Sequence, residues 1–260
     1  HKIIKEEKVK IVKILIISIS LSFFGNLTAD DHIDISAMEG LQCNIRDGKD
    51  MDDVMKVISE WNEYGDENFS EPYSAWIFTP VYRTNSDFDF DFMFLGFTET
   101  MQAMGKVQDD WQVGGSRIDE KWSRVTDCLG QSININVEVR SPKYSWEEGG
   151  TTYASIRSCT FKDDKSTSDL AGNDKIWNKY LDEYGFEGGV WRWWPETGSA
   201  TTFTHDYWNV ASFRSVEEYG AGRDARLKAM MADTRPEEIH NCDTPRLYKA
   251  TNIRLVQAEG

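Results

Sequence analysis

From Leu41 to Arg46 the chain alternates apolar and polar residues, and then Met51, Val54, Met55, Ile58 and Trp61 recur every three or four positions. The first pattern is that of a half-buried strand and the second that of an amphipathic helix, with Asp50 placed to cap its start. Ser74 to Val81 predicts a second strand closed by Pro80, and Phe88 to Phe97 a third, entered through the turn-rich Arg83-Thr-Asn-Ser-Asp87. Met101, Met104 and Trp111 mark a second helix, and Ile133, Ile135, Val137 and Val139 alternate through a last strand that ends at Arg140. The order is βαββαβ. The remainder of the chain predicts the same order, with strands at about 153–162, 189–194, 203–212 and 247–256 and helices at about 169–184 and 215–230. The capping box Ser215-Val-Glu-Glu218 opens the last helix, and residues 141–150, with Pro142 and Gly149-Gly150, form a linker.

The recurrence extends to the residues themselves. Cys43-Asn-Ile-Arg-Asp-Gly-Lys returns 116 positions later as Cys159-Thr-Phe-Lys-Asp-Asp-Lys, and Trp61-Asn-Glu-Tyr64 as Trp177-Asn-Lys-Tyr180. Trp76-Ile-Phe-Thr-Pro80 returns as Trp191-Arg-Trp-Trp-Pro195, Asp91-Phe92 as Asp206-Tyr207, Gly105 as Gly220 and Cys128 as Cys242. A unit this long is a small domain, so the pattern predicts a tandem duplication, one repeat at 40–143 and the other at 151–258. A βαββαβ unit is the ferredoxin-like arrangement, whose helices cover one face of an antiparallel sheet. In the third strand Phe88, Phe90, Phe92 and Phe94 share one face and Met93, Leu95 and Phe97 the other, so both faces need cover.

With this order, duplication and burial pattern the chain resembles the dimeric α/β-barrel superfamily. The fold class expected is therefore α+β: two tandem ferredoxin-like βαββαβ repeats packed sheet to sheet as an intrachain dimeric α/β barrel. The runs Ser74-Ala-Trp-Ile-Phe-Thr-Pro80 and Asp89-Phe-Asp-Phe-Met-Phe-Leu-Gly96 are similar to those of uncharacterised exported proteins of marine bacteria. The resemblance implies a range of functions rather than one: cofactor-independent monooxygenases, isomerases, haem proteins of the chlorite dismutase and dye-decolourising peroxidase type, and proteins without activity. Their sites lie between sheet and helices or inside the barrel.

Residues 1–29 have the layout of a secretory signal peptide, with five lysines from Lys2 to Lys13, an apolar run from Ile11 to Phe24 interrupted by Lys13 and three serines, and a small residue, Ala29, at its end. The apolar run is too short for a spanning helix, so no stable membrane insertion is expected after cleavage. Periplasmic or secreted localisation follows. The formal net charge of −15 becomes −18 without that segment, which repels phosphate and argues against nucleic-acid partners. Four cysteines fall two per repeat, and only Cys43–Cys128 with Cys159–Cys242 preserves the duplication. Short Cys-x-x-Cys spacing and neighbouring histidines are absent, so no metal site is expected.

His205 is the one histidine inside a predicted strand, where the first repeat has Phe90, and an imidazole there is a candidate base or haem ligand. Asp91 and Asp206 are carboxylates in otherwise apolar strands, which calls for a hydrogen-bonding partner such as Arg192 for Asp206, or for a shared catalytic role. Trp76, Phe78, Trp191 and Trp193 share one strand face, with Tyr207 and Asp91 as further candidate ligand-binding groups, while Arg192 and Trp194 take the other face. Phosphate loops, Gly-x-Ser-x-Gly elbows and His-Glu-x-x-His motifs are missing. The reading that follows is a monomeric, cofactor-free protein taking up a small apolar or aromatic ligand in an aromatic-lined cavity. The alternatives are a cofactor-independent oxygenase or isomerase using His205, Arg192 and Asp206, and a non-catalytic structural protein.

Overall fold

The structure is a computed structural model that describes residues 34–84 and 89–256. The expected signal peptide, Asp87 and Phe88 lie outside the described residues. The elements run β1 (Asp34–Ile45), α1 (Met51–Asn68), β2 (Ser74–Tyr82), β3 (Phe92–Thr98), α2 (Met101–Gly114), α3 (Ser116–Val125) and β4 (Thr126–Arg140). They continue with β5 (Thr151–Phe161), α4 (Leu170–Glu183), β6 (Val190–Pro195), β7 (Tyr207–Phe213), α5 (Val216–Met231), β8 (His240–Cys242) and β9 (Arg246–Arg254). No helix among the described residues is long and apolar enough to cross a membrane.

Local chemistry sets the helix starts. Asp50 accepts from the Asp53 amide at 3.0 Å, Thr100 from Ala103 at 3.1 Å and Ser215 from Glu218 at 3.0 Å, each satisfying an orphan amide of a first turn. Half of the predicted capping box forms, because the Glu218 carboxylate accepts from the Arg214 amide at 2.7 Å rather than from Ser215. Helix α3 is an addition to the expected order; its apolar positions Ile118, Trp122 and Val125 are embedded among charges, which hid the period.

The strands form one sheet in the order β7-β6-β4-β1-β3-β2-β9-β5, with the short β8 beside β5 and a further β5–β7 pairing that closes the ring. This corrects the expected arrangement of two ferredoxin-like sheets packed face to face. The halves are zipped edge to edge instead: β2 pairs β9 from Ala75↔Arg254 to Tyr82↔Leu247, and β4 pairs β6 from Asn134↔Pro195 to Arg140↔Val190. The physical reason is the backbone. Face-to-face packing buries side chains but leaves the outer edge of each sheet with unpaired N–H and C=O groups, whereas closing the eight antiparallel strands into a barrel pairs them.

Closure divides the apolar residues into two shells. Met38, Phe78, Met93, Leu95, Ile156, Trp193, Val210 and Tyr248 pack inside the barrel. Phe92, Phe94, Ala75, Ile77 and Ile253 face outward, under Val54, Ile58, Met104, Val107 and Ile118 of the first three helices. The two-faced third strand is thus as its pattern predicts, except that β3 begins only at Phe92 and Phe90 turns into the barrel.

Both expected disulfides are present, Cys43–Cys128 tying β1 to β4 and Cys159–Cys242 tying β5 to β8. Beside each, an aspartate clamps the backbone. Asp91 accepts from the Ile45 amide at 2.8 Å while its own amide bonds the Cys43 carbonyl at 3.0 Å. Asp206 does the same with Phe161 at 2.7 Å and Cys159 at 2.9 Å. Both aspartates are exposed and stand just before β3 and β7, so neither bears the burial cost expected of a carboxylate within an apolar strand, and each serves as a backbone clamp instead.

Candidate functional site

Strand alternation places Ala154, Ile156 and Ser158 of β5 toward the barrel interior and Arg157 between them toward the helices. The same alternation sends Arg192 of β6 and Asn209 of β7 outward, beneath α4 and α5. Sheet and helices do not close on one another there. They leave a cavity of about 310 Å³, floored by Arg157, Arg192, Asn209 and His240 and roofed by Asp174, Trp177 and Tyr180 of α4 and Gly222 and Arg226 of α5.

The floor is a charged network. Arg192, only 4 % exposed, forms a two-pronged ion pair with Asp174, with Nη1 to Oδ2 at 2.8 Å. Burial alone would lower the Arg192 guanidinium, but the Asp174 carboxylate outweighs it and holds the group above its ordinary value. Its Cζ lies 5.6 Å from the centre of the Tyr207 ring. The Tyr207 hydroxyl is 2.9 Å from Nδ1 of His240, and both residues are buried. Burial, and then the positive charge of Arg157, pull His240 down to about 4, so the imidazole is neutral at neutral pH. Burial likewise raises Tyr207, which stays a phenol.

Arg157 differs from its neighbours. Arg226 pairs with Glu238 at 2.8 Å and Arg192 with Asp174, but Arg157 forms no ion pair among the described residues and donates from Nε to Asn209 Oδ1 at 3.2 Å. Burial, reinforced by Arg226, lowers its guanidinium to about 10. It remains a cation at neutral pH, and the nearby carboxylates Asp174 and Glu238 are already engaged by Arg192 and Arg226.

Of the residues named from sequence, Arg192 lines this cavity and Tyr207 supports it. His205 lies in the bend before β7, outside any strand, with its ring 5.5 Å from that of Phe203. Asp206 does not meet Arg192; it serves the Phe161 amide. Trp76, Phe78, Trp191 and Trp193 do share a face, as predicted, and it is the barrel interior. There Phe78 packs 6.2 Å from Trp193 and 6.4 Å from Tyr248, Trp76 packs 5.2 Å from Phe97, and Trp191 packs 6.3 Å from Trp146. Sequence reading missed Arg157, Asp174 and His240. The alternation Ser155, Arg157, Cys159 carried a signal for the first, since an arginine there falls on the helix-facing side of a strand. His240 had one too, because a half-cystine two residues away pins it to the sheet.

A histidine- or cysteine-ligated haem does not fit this cavity. Such a cofactor needs an axial donor aimed at its iron, yet α4 and α5 contain neither residue type. The imidazole of His240 is engaged by Tyr207 and lies within 4.8 Å of Cys159 and Cys242, whose sulfurs are bonded to each other. That same bond leaves the Cys159, His240 and Cys242 cluster without a thiolate for a metal.

Neither a family model nor a curated protein matches the sequence. Solved structures similar to the chain include a chlorite dismutase from Candidatus Nitrospira defluvii in complex with imidazole, at 10% identity and TM-score 0.48, covering 85% of this chain and 92% of that one. Another is the encapsulated DyP-type peroxidase from Mycobacterium smegmatis, at 9% identity and TM-score 0.45, covering 84% of this chain and 93% of that one. At these scores the likeness transfers neither residues nor chemistry. The expectation of an apolar or aromatic ligand in an aromatic-lined cavity is corrected by the placement of those side chains. Trp76, Phe78, Trp191 and Trp193, named for that role, do not line the cavity beneath α4 and α5 but fill the barrel interior among other aromatic side chains.

Proposed function

We propose that the cavity beneath α4 and α5 binds a small organic anion and acts on it by proton transfer. The observation that carries this reading is Arg157, a guanidinium without an ion-pair partner among the described residues that forms part of the cavity floor beside a neutral imidazole and a phenol. A half-buried cation whose neighbouring carboxylates are engaged by other arginines is costly, and an anionic ligand reduces that cost. The Tyr207 and His240 pair supplies a donor and an acceptor that are both uncharged at neutral pH, the state in which a base is able to take a proton. An anion held by Arg157 also cancels part of the field that depresses His240, so binding is coupled to proton uptake.

The test is calorimetric titration with succinate, and with inorganic phosphate as a second anion, in buffers of different ionisation enthalpy at pH 5.5. Binding accompanied by proton uptake is expected for succinate. Arg157→Gln abolishes the binding, and His240→Gln preserves binding but removes the proton uptake. Unchanged succinate affinity in Arg157→Gln would sink the reading.

We also infer that the protein works in an oxidising compartment, periplasmic or secreted, because both cysteine pairs are placed to close disulfides. Barrel closure within one chain supports a monomer, to be checked by light scattering.

A further inference from the structure

Beneath α1, α2 and α3 lies a second cavity of about 210 Å³. Glu39 of β1 forms part of its floor and is only 6 % exposed. Its carboxylate accepts from the Tyr73 hydroxyl at 2.7 Å, from Gln131 Nε2 at 3.0 Å and from Gln108 Nε2 at 2.5 Å. All three partners donate, which is the pattern of an ionised carboxylate. Gly96 makes the arrangement possible, since a Cβ there would sit 1.5 Å from the Tyr73 oxygen.

Among the described residues this negative charge has hydrogen bonds but no ion-pair partner. Lys106 and Lys121, on the helices above, pair with Glu71 and Glu60, and no cation contributes to the titration of Glu39. The cavity walls are Trp61 of α1, Trp111 of α2, Trp122 of α3 and Phe94 of β3, with Asp119 exposed at the edge. The three tryptophans are half-buried, as side chains lining a reachable space must be.

We propose that this cavity binds a small quaternary ammonium ion, its charge balanced by Glu39 and its methyl groups against the indole walls. Aromatic faces attract a cation through their quadrupole, and a buried carboxylate adds a full opposing charge. A quaternary nitrogen suits the walls better than a primary amine. The polar acceptors lie on the floor and at the edge, at Glu39, Asp119 and the glutamines, while indole and phenylalanine walls offer none, so an ammonium N–H turned toward a wall loses a hydrogen bond that a methyl group never makes.

The experiment is calorimetric titration of the full chain with choline, alongside tryptophan fluorescence, against the uncharged isostere 3,3-dimethylbutan-1-ol. Choline is expected to bind at least tenfold more tightly than the isostere and to perturb the emission. Glu39→Gln, which preserves shape and removes charge, and Trp111→Leu should each weaken choline at least tenfold. Arg157→Gln should leave choline binding unchanged, which separates this site from the anion cavity. Absence of choline binding to the native chain, equal affinity for the isostere, or undiminished affinity in folded Glu39→Gln would each overturn the proposal. If Glu39→Gln fails to fold, the comparison of choline with its isostere on the native chain and the Trp111→Leu titration decide.

Discussion

The two cavities on the outer face of the barrel share a plan and differ in sign. Each lies between sheet and helices, and each has on its floor a charged group with hydrogen bonds and no ion pair among the described residues: Glu39, buried, in the first and Arg157, half-buried, in the second. The surroundings differ accordingly. Around Glu39 the walls are tryptophans and the floor donors are neutral amides and a phenol, whereas around Arg157 the network contains two more arginines, an aspartate and an imidazole. The contrast teaches how to separate charges that hold the fold from charges held by it. Arg192 is also buried, but Asp174 answers it, so it belongs to the first kind. Glu39 and Arg157 belong to the second.

The largest effect expected from this contrast is on stability. Arg192→Met leaves Asp174 facing the network without its partner and should cost about 3–5 kcal/mol, while Arg157→Gln should be neutral or stabilising. Urea denaturation of the two variants checks it, and equal losses would erase the distinction. Next come the disulfides. They close loops of 85 and 83 residues, so the loop-entropy model gives each about 4 kcal/mol and predicts that Cys43→Ser/Cys128→Ser and Cys159→Ser/Cys242→Ser lose nearly the same amount. A large disparity would mean that one half constrains its unfolded chain differently.

The pH response should separate the halves as well. His240 is held at about 4 in the folded chain against 6.5 when unfolded, so the unfolded state binds more protons between these values. The stabilisation is therefore complete above pH 6.5 and is lost as pH falls toward 4, by on the order of 3 kcal/mol in full. Glu39 acts in the opposite sense. Burial raises it above 4.5, so its contribution is present below that value and fades as pH rises through the raised one. His240→Gln should flatten the acid limb of a stability profile and Glu39→Gln should remove the opposing term, both readable from thermal melts between pH 4 and 8. The smallest effect concerns the aspartate clamps. Asp91→Ala and Asp206→Ala should each cost about 1 kcal/mol, the worth of one amide hydrogen bond, and should do so equally.

How legible all this was in the sequence depends on the range of the interaction. The helix caps at Asp50 and Ser215, the two-faced β3 and the cysteine pairing were readable because they rest on local spacing or on symmetry between the halves. The sheet-to-sheet arrangement was misread because period-two alternation reports which way a side chain points but not which strand lies alongside. The pairing of Trp76 with Asn252 and of Val137 with Arg192 joins residues from opposite halves and leaves no trace in either pattern. The sites were misplaced for a related reason. Tryptophans at strand positions drew attention to the barrel interior, while Glu39 and Arg157 looked like ordinary polar positions in alternating strands. Their meaning depends on the helices above them.

The edge-to-edge closure also governs how the molecule is made. Strand β2 cannot complete its ladder until β9 arrives, some 170 residues further along the chain. A chain that has folded β1 to β4 therefore carries open strand edges until the remainder is in place. Such distant pairing slows the search for the native state, because loop-closure entropy is lost before the ladder rewards it. Early bonding of Cys43 to Cys128 would rigidify the waiting half and keep its edges in register for the last strand to find.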